Sequence, residues 1–354
     1  YNGIKLCRAA AAPVGEDSGL TVLRDLVNVD GVAHEPAHRG TVREQAVVDA
    51  YAEHLHSLVD LRASRRLRVV VDAGNGMAGL TVPVVFARLP FELVPMYFEL
   101  DGSFPNHEAN PIEPANLVDL QRRIVAESAD IGLAFDGDAD RCFVVDERGT
   151  AVSPSAITAL VATRELAREP GSAVIYNLIC SRAVPEIVSE HGGRPVRSRV
   201  GHSFIKATMA ETGAVFGGEH SGHFYFRDFW RADSGMLAAL HVLAALAEVE
   251  QPLSSLMSAY ERYVASGEVN SRVGDPAAVL AAVEERYADR PGVRIDHLDG
   301  LTVELPTGGA WFNLRPSNTE PLLRLNAEAE DRATMERVRD EVLALVRNQS
   351  APAH

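Results

Sequence analysis

Three carboxylates stand two residues apart in the segment Asp136-Gly137-Asp138-Ala139-Asp140-Arg141. Short apolar runs, Ile131–Phe135 and Cys142–Val145, flank it, so the acids fall on a tight turn between buried strands. On such a turn the side chains at i, i+2 and i+4 aim their oxygens at one centre. That is the donor set of a hard cation, and Mg2+ with few protein ligands suits it. Unpaired charge boxed between apolar strands is expensive, which argues against a merely solvated acidic run. Two other chemistries use similar spacing. In an EF-hand Ca2+ module, Asp136, Asp138 and Asp140 would open the loop and Glu147 would close it. Arg141, however, stands where that loop needs Gly, and the flanks are strands. A phosphoaspartate nucleophile after a buried strand wants Thr or Val where Asp140 stands.

Four more segments carry reactive groups. Gly74-Asn75-Gly76-Met77-Ala78-Gly79 is a literal G-x-G-x-x-G between a strand and a helix, with Glu99 near the end of the next strand. On paper this is the fingerprint of an NAD(P)-binding oxidoreductase. Its plain alternative is a tight strand-to-helix turn, and nothing downstream supplies a hydride-transfer site. Gly217 to His223 surrounds Glu219, His220, Ser221 and His223 with small residues. An acid that accepts and a hydroxyl that donates, side by side, can grip adjacent sugar hydroxyls. A Ser-His triad is the weaker reading, since no G-x-S-x-G elbow is present. Arg315-Pro316-Ser317-Asn318-Thr319-Glu320-Pro321 offers a guanidinium fork, two hydroxyls, an amide and turn N–H groups, a donor set for a phosphate dianion. Its plain alternative is a Pro-bounded turn. Arg199 to Lys206 is a basic loop that contains His202. Lysine is otherwise scarce: only Lys5 and Lys206 stand against 32 arginines. Coding bias explains most of that, but a surviving ammonium is a compact titratable charge that Arg does not replace.

Positioning these loops calls for alternating strands and helices. Val42–Val59 has helical periodicity, Arg68–Val71 is a buried strand, Phe91–Phe98 a second, and Leu117–Glu127 is helical. The rhythm repeats with a helix from Ser155 to Arg168, a strand Ala173–Tyr176, a helix from Ala183, a strand Arg194–Val200 and a helix through Met209. The two blocks read as largely parallel α/β units and are similar enough to be duplicates. Leu237–Val249 is a strongly apolar helix. Ser266–Asp275 is polar and Gly-containing and reads as a linker. Beyond it, a helix (Ala277–Tyr287), four strands (Val293–Ile295, Leu301–Leu305, Trp311–Leu314, Leu322–Glu328) and a helix (Arg332–Arg347) make a smaller α+β unit. The first ~40 residues are too few for a core of their own.

Composition limits the partners. The 354 residues carry a formal charge of −15, which argues against a nucleic-acid binder or a polybasic membrane-surface protein. No apolar run approaches the ~20 residues needed to span a bilayer. Three widely spaced cysteines, Cys7, Cys142 and Cys180, form no C-x-x-C and point to a reducing, cytoplasmic setting.

Taken in this order, Tyr1-Asn2-Gly3-Ile4-Lys5, Asp136 to Arg141, Arg199 to Lys206, Gly218 to His223 and Arg315 to Pro321 resemble the α-D-phosphohexomutase superfamily, most closely the bacterial phosphomannomutase/phosphoglucomutase group. The resemblance runs from the first residue almost to the last helix. It implies related α/β domains and a smaller C-terminal α+β domain around a cleft. The division expected is 1–39 (remnant of a truncated domain 1), 40–150, 151–264 and 265–354. It further implies that Asp136, Asp138 and Asp140 hold Mg2+, with Arg141 beside the transferred phosphoryl group. Glu219 and Ser221 would clamp sugar hydroxyls. Arg315, Ser317, Asn318 and Thr319 would hold the phosphate that is not reacting. His202 and Lys5 would serve phosphate contact and proton transfer, while Lys206 is given no chemistry. The substrates implied are the 1- and 6-phosphates of mannose and glucose and a hexose 1,6-bisphosphate, in a monomer or homodimer. Phosphoglucosamine is a further alternative, because His220 stands where mutase subfamilies differ. The family's phosphoserine precedes the Tyr1 segment, so the residues as given are expected not to turn over. Leu178-Ile179 stands where some relatives carry a cleft Lys, so one substrate contact departs from the pattern.

Overall fold

The computed structural model describes residues 6–9, 14–28, 40–61, 65–317 and 322–350. Lys5, Asn318 and Thr319 lie outside the described residues, as does most of the segment 1–39. A helix, α1 (Leu20–Asn28), has no buried residue. The next, α2 (Val48–Leu58), begins later than its periodicity suggests and buries Ala52 and Leu55.

A run of Val buried on both faces, as parallel strands are, forms β1 (Arg68–Asp72) at the centre of the first sheet. It is followed by α3 (Ala78–Phe86), β2 (Glu92–Met96), α4 (Val118–Glu127), β3 (Ile131–Phe135), β4 (Cys142–Asp146) and β5 (Ala151–Val152). The order across the sheet is β2-β1-β3-β4-β5. β2 and β3 run parallel to β1, whereas β4 and β5 turn back antiparallel.

Ser153 accepts a hydrogen bond from Ser155 N at 3.3 Å and Pro154 supplies a preset first turn, so α5 (Pro154–Arg168) starts there. Then come β6 (Ala173–Asn177), α6 (Ala183–Glu190), β7 (Arg194–Ser198), α7 (His202–Thr212), β8 (Phe216–Gly218), β9 (Phe224–Phe226) and β10 (Ala232–Asp233). The sheet order β7-β6-β8-β9-β10 repeats the first sheet strand for strand, with the same parallel and antiparallel pairs. The duplication read from sequence is thus a topological repeat. Ser234 caps α8 (Gly235–Ala247) through Leu237 N at 3.1 Å, and all thirteen residues of that helix are buried. One continuous apolar core joins α2, α3, α5 and α8, so the first two units share their interior.

After α9 (Leu253–Met257), which packs Leu253 and Met257 into that shared core, the third unit comprises β11 (Val264–Arg272), α10 (Pro276–Ala288), β12 (Arg294–Asp296), β13 (Leu301–Glu304), β14 (Trp311–Pro316), β15 (Leu322–Ala329) and α11 (Arg332–Ser350). Its sheet order is β11-β15-β14-β13-β12, antiparallel throughout, over a separate core. This corrects the linker reading of Ser266–Asp275. Most of that stretch is strand β11, paired with β15 and broken by a bulge between Ala265 and Glu268. An edge strand with a solvated face is polar, and Gly267 (φ 67°) serves the bulge, so the composition imitates a linker. Among the described residues, no helix is long and apolar enough to cross a membrane.

Candidate active site

The repeat decides where the reactive loops fall. The acidic segment is the β3–β4 hairpin of the first sheet, and Glu219–His223 is the corresponding β8–β9 hairpin of the second. The two hairpins meet: Arg141 and His223 form an isolated antiparallel bridge, and Cys142 N donates to Gly222 O at 3.3 Å. The second hairpin and the start of α8 pack on the first hairpin so closely that only glycine fits at two points. A Cβ on Gly235 would lie 2.6 Å from Arg141 backbone atoms, and one on Gly222 (φ 86°) would lie 2.5 Å from the Phe143 ring.

In the first hairpin, one oxygen from each of Asp136, Asp138 and Asp140 falls within 4.8 Å of the others. Oxygen-only donors at that spacing fit a hard divalent cation. Ala139 between them holds φ 62°, a left-handed conformation uncommon for a residue with a Cβ. Buried Asp136 accepts from Arg141 N at 3.0 Å and Arg141 Nε at 2.9 Å, and Arg141 Nη1 reaches Asn110 Oδ1 at 3.2 Å. Burial pushes the Asp136 carboxyl up to about 6; the Arg141 guanidinium opposes the shift and the Asp140 carboxylate adds to it. A bound cation would relieve that cost.

In the second hairpin, Glu219 is only 2 % exposed. Oε1 accepts from Asn177 Nδ2 at 3.1 Å and Gly201 N at 3.0 Å, while Tyr225 OH donates to Oε2 at 2.7 Å. Ser221 Oγ lies 2.8 Å from His223 Nδ1, and His223 Nε2 lies 3.5 Å from Asp140 Oδ1. His202, at the start of α7, stacks edge to face on His223 with ring centres 4.3 Å apart. Its Nδ1 is 3.2 Å from Asp233 Oδ2, and Lys206 Nζ donates to Asp233 Oδ1 at 2.9 Å. The Asp233 hydrogen bond raises the His202 pKa against the opposing effect of burial. Burial would raise Asp233, but His202 and Lys206 outweigh it and hold the carboxyl well below the usual range. Burial, with the neighbouring His202 charge, pushes His223 down to about 4. The two imidazoles are thus pushed apart, His202 upward by Asp233 and His223 downward by burial.

The Arg315 loop leaves β14 in the third unit. Arg315 is 7 % exposed, and its buried Nε has no hydrogen-bond partner among the described residues. Ser317 Oγ accepts from Arg324 Nη2 at 3.3 Å. The loop joins the rest through Asp299, whose Oδ2 accepts from Val200 N at 3.2 Å beside His202. The adjacent Gly300 packs so closely on Leu314 and Arg315 that a Cβ would lie 2.5 Å from Leu314 O.

Two rival readings lose their geometry. The N–H groups of Gly74, Asn75, Gly76 and Met77 are spent on Asp72 Oδ1 and the carbonyls of Tyr97, Ala73 and Gly137 at 2.7–3.0 Å, leaving none of the four for a pyrophosphate. A Cβ on Gly76 would sit 2.6 Å from Gly137 O, so these glycines let the turn pack on the acidic hairpin. Glu147 lies beyond the far end of β4 and accepts from Ser254 N at 3.0 Å and Ser254 Oγ at 2.5 Å, remote from the acids a Ca2+ loop would join it to. Leu178 and Ile179 are buried.

Asp233, Tyr225 and Asn177 support the site yet escaped selection from sequence, and His223 was named in its loop without a role of its own. Asp233 is a single acid in a mixed segment, and only its cross-strand register with Tyr225 brings it to His202.

Residues 49–149 match the family model of phosphoglucomutase/phosphomannomutase α/β/α domain II, residues 153–263 that of α/β/α domain III, and residues 268–345 that of the C-terminal domain. A relative named phosphohexose mutases from Xanthomonas campestris is 41% identical over 352 residues, 98% of this chain and 77% of the relative. An Escherichia coli phosphomannomutase is 38% identical over 357 residues, covering 98% of this chain and 77% of the relative. A crystal structure of a phosphoglucomutase/phosphomannomutase family protein from Burkholderia thailandensis aligns with a TM-score of 0.79 at 35% identity, over 89% of this chain and 67% of that one. The chain belongs to the phosphoglucomutase/phosphomannomutase family of α-D-phosphohexomutases, which are intramolecular phosphotransferases.

Proposed function

We propose that the protein interconverts hexose 1-phosphates and hexose 6-phosphates, of mannose, glucose or both, through a phosphoserine and a bound 1,6-bisphosphate. The observation that carries this reading is the Arg141–His223 bridge, which joins an acidic cation loop to a hydroxyl- and imidazole-bearing loop in one cleft.

Asp136, Asp138 and Asp140 hold Mg2+, which when bound neutralises charge on the transferring phosphoryl group. Arg141, fixed by Asp136 and Asn110, presents its guanidinium to the same group. His202, whose pKa the Asp233 hydrogen bond raises, contacts phosphate. His223 has a free lone pair near neutral pH and takes the proton of the attacking sugar hydroxyl, then returns it in the reverse step. Ser221 donates to a sugar hydroxyl, and Glu219 orders the hydroxyl site through its bonds to Tyr225 and Gly201 N. Arg315, Ser317, Asn318 and Thr319 bind the phosphate that is not reacting. A buried guanidinium Nε without a partner among the described residues supports that role, because an unmet donor is costly without an acceptor. Lys5 belongs to the same phosphate and proton machinery.

The working division is 1–39, 40–150, 151–264 and 265–354, in a cytoplasmic monomer or homodimer. The test is calorimetric titration with glucose 1,6-bisphosphate and Mg2+. Saturable binding is expected, weakened at least about tenfold by Arg315→Ala, the order expected for losing a charge-assisted contact. Mg2+-independent binding that ignores Arg315 would overturn the reading.

A further inference from the structure

The carboxylate loop is an all-oxygen set, but the cleft holds a second group of different chemistry. His202, His223 and Asp233 each offer one donor atom, and these atoms lie within 4.8 Å of one another. They come from three elements: the start of α7, the β8–β9 loop and β10. The 3.2 Å between His202 Nδ1 and Asp233 Oδ2 is close to the edge, about 3.3 Å, of a tetrahedron with bonds of about 2.0 Å, and an ion there would displace the Nδ1 proton now directed at Asp233 and at Tyr225 OH, 3.1 Å away. Outer contacts already orient two of the three. Lys206 occupies Asp233 Oδ1 at 2.9 Å and leaves Oδ2 for another partner. Ser221 occupies His223 Nδ1 at 2.8 Å and leaves Nε2 facing Asp140 and the cleft. Such second contacts fix ligand tautomer and direction in metal sites. The His202 side chain is 48% exposed, so an ion reaches the group from solvent.

We propose that His202, His223 and Asp233 form a second cation site, separate in ligand type from the carboxylate loop, that takes Zn2+ or a similar borderline metal. Two imidazoles and one carboxylate make a three-ligand zinc set with its fourth position open, and imidazole donors select against Mg2+. The Lys206 ammonium beside Asp233 opposes the ion and keeps the site weaker than a closed structural zinc site. An ion there occupies the nitrogens that the mutase reading assigns to phosphate contact and proton transfer. On that reading its effect is inhibitory.

The test is a Zn2+ titration of the whole chain by calorimetry with Mg2+ saturating, alongside Co2+ as an absorption probe. One Zn2+ per chain is expected, with the intense visible band of four-coordinate Co2+. His202→Gln, at a half-exposed side chain, should weaken Zn2+ at least about tenfold, since even an outer contact of a metal site costs that much. Asp233→Asn should do the same, and unchanged melting temperatures exclude misfolding as the cause. Asp138→Asn should leave Zn2+ binding in place. If Asp138→Asn abolishes Zn2+ binding while His202→Gln does not, or if Mg2+ displaces the ion, the proposal is wrong. Neither readout needs turnover. Zn2+ binding by a protein that binds no sugar phosphate when Zn2+ is absent would therefore sink the mutase reading and leave this site standing.

Discussion

Asp136 shows how much one side chain is asked to do. Its carboxylate is buried, holds Arg141 by two hydrogen bonds and faces two further acids. With its pKa pushed up to about 6, it takes a proton as pH falls through that value in the metal-free protein. Protons and cations compete for the same oxygens. Mg2+ affinity measured by calorimetry should therefore fall markedly between pH 7 and pH 5, whereas a flat profile would contradict the assignment. His107 behaves in the opposite sense. Its hydrogen bond to Asp72 Oδ2, 2.9 Å long, raises its pKa to about 9 despite partial burial. The stability this contributes is fully present below the unfolded value of about 6.5 and is lost as pH rises through about 9. Urea midpoints should decline across that window, and His107→Gln should remove that part of the decline.

At the scale of elements, the site is one hairpin used twice. The β3–β4 turn carries the acids and the β8–β9 turn carries the hydroxyl and imidazole groups, and glycines let the two touch. Gly235→Ala would press a Cβ to 2.6 Å from Arg141 backbone. It should cost about 1–3 kcal/mol, as overpacking does, and displace Arg141 enough to weaken hexose bisphosphate binding. Denaturation and titration check this, and a neutral result would mean that the first hairpin does not depend on its contact with the start of α8.

Much of this was legible in the residues. Apolar runs marked β1, β3, β4 and β6, and clustered polar types drew attention to the loops at Asp136, Arg199, Gly217 and Arg315. The rest was not, for physical reasons. Strands of two or three residues such as β5, β8, β9 and β10 are too short to show a period. β11 was hidden by the polarity of an edge. Asp233 and Tyr225 were hidden because cross-strand register, which no local pattern encodes, puts them against His202 and Glu219. Gly74 to Gly79 misled in the other direction, since a turn built for close packing has the same glycine spacing as one built for a pyrophosphate.

Over the whole molecule, the first two units share a core, while the third is attached through polar contacts. Arg182 N donates to Glu328 Oε1 at 2.9 Å, Arg182 Nη1 to Gly309 O at 3.0 Å, and Arg197 Nη1 to Asp296 Oδ2 at 3.1 Å. An interface of this kind permits relative motion of units more readily than a large apolar one. Arg182→Ala should loosen the third unit, visible as a larger radius of gyration in X-ray scattering. Bisphosphate affinity should drop about three- to tenfold for the loss of one charge-assisted hydrogen bond, while Mg2+ affinity stays unchanged. Equal losses of both would show that the third unit supports the metal loop as well.

The central claim is that one hexose bisphosphate spans from the Asp136–Asp140 loop to Arg315. The most direct measurement is phosphorus NMR of glucose 1,6-bisphosphate on the protein with paramagnetic Mn2+ in place of Mg2+. One phosphorus resonance should relax much faster than the other, and Arg315→Ala should weaken binding without moving the metal. Equal relaxation of both phosphates, or a relaxation effect that survives Asp138→Asn, would contradict the account.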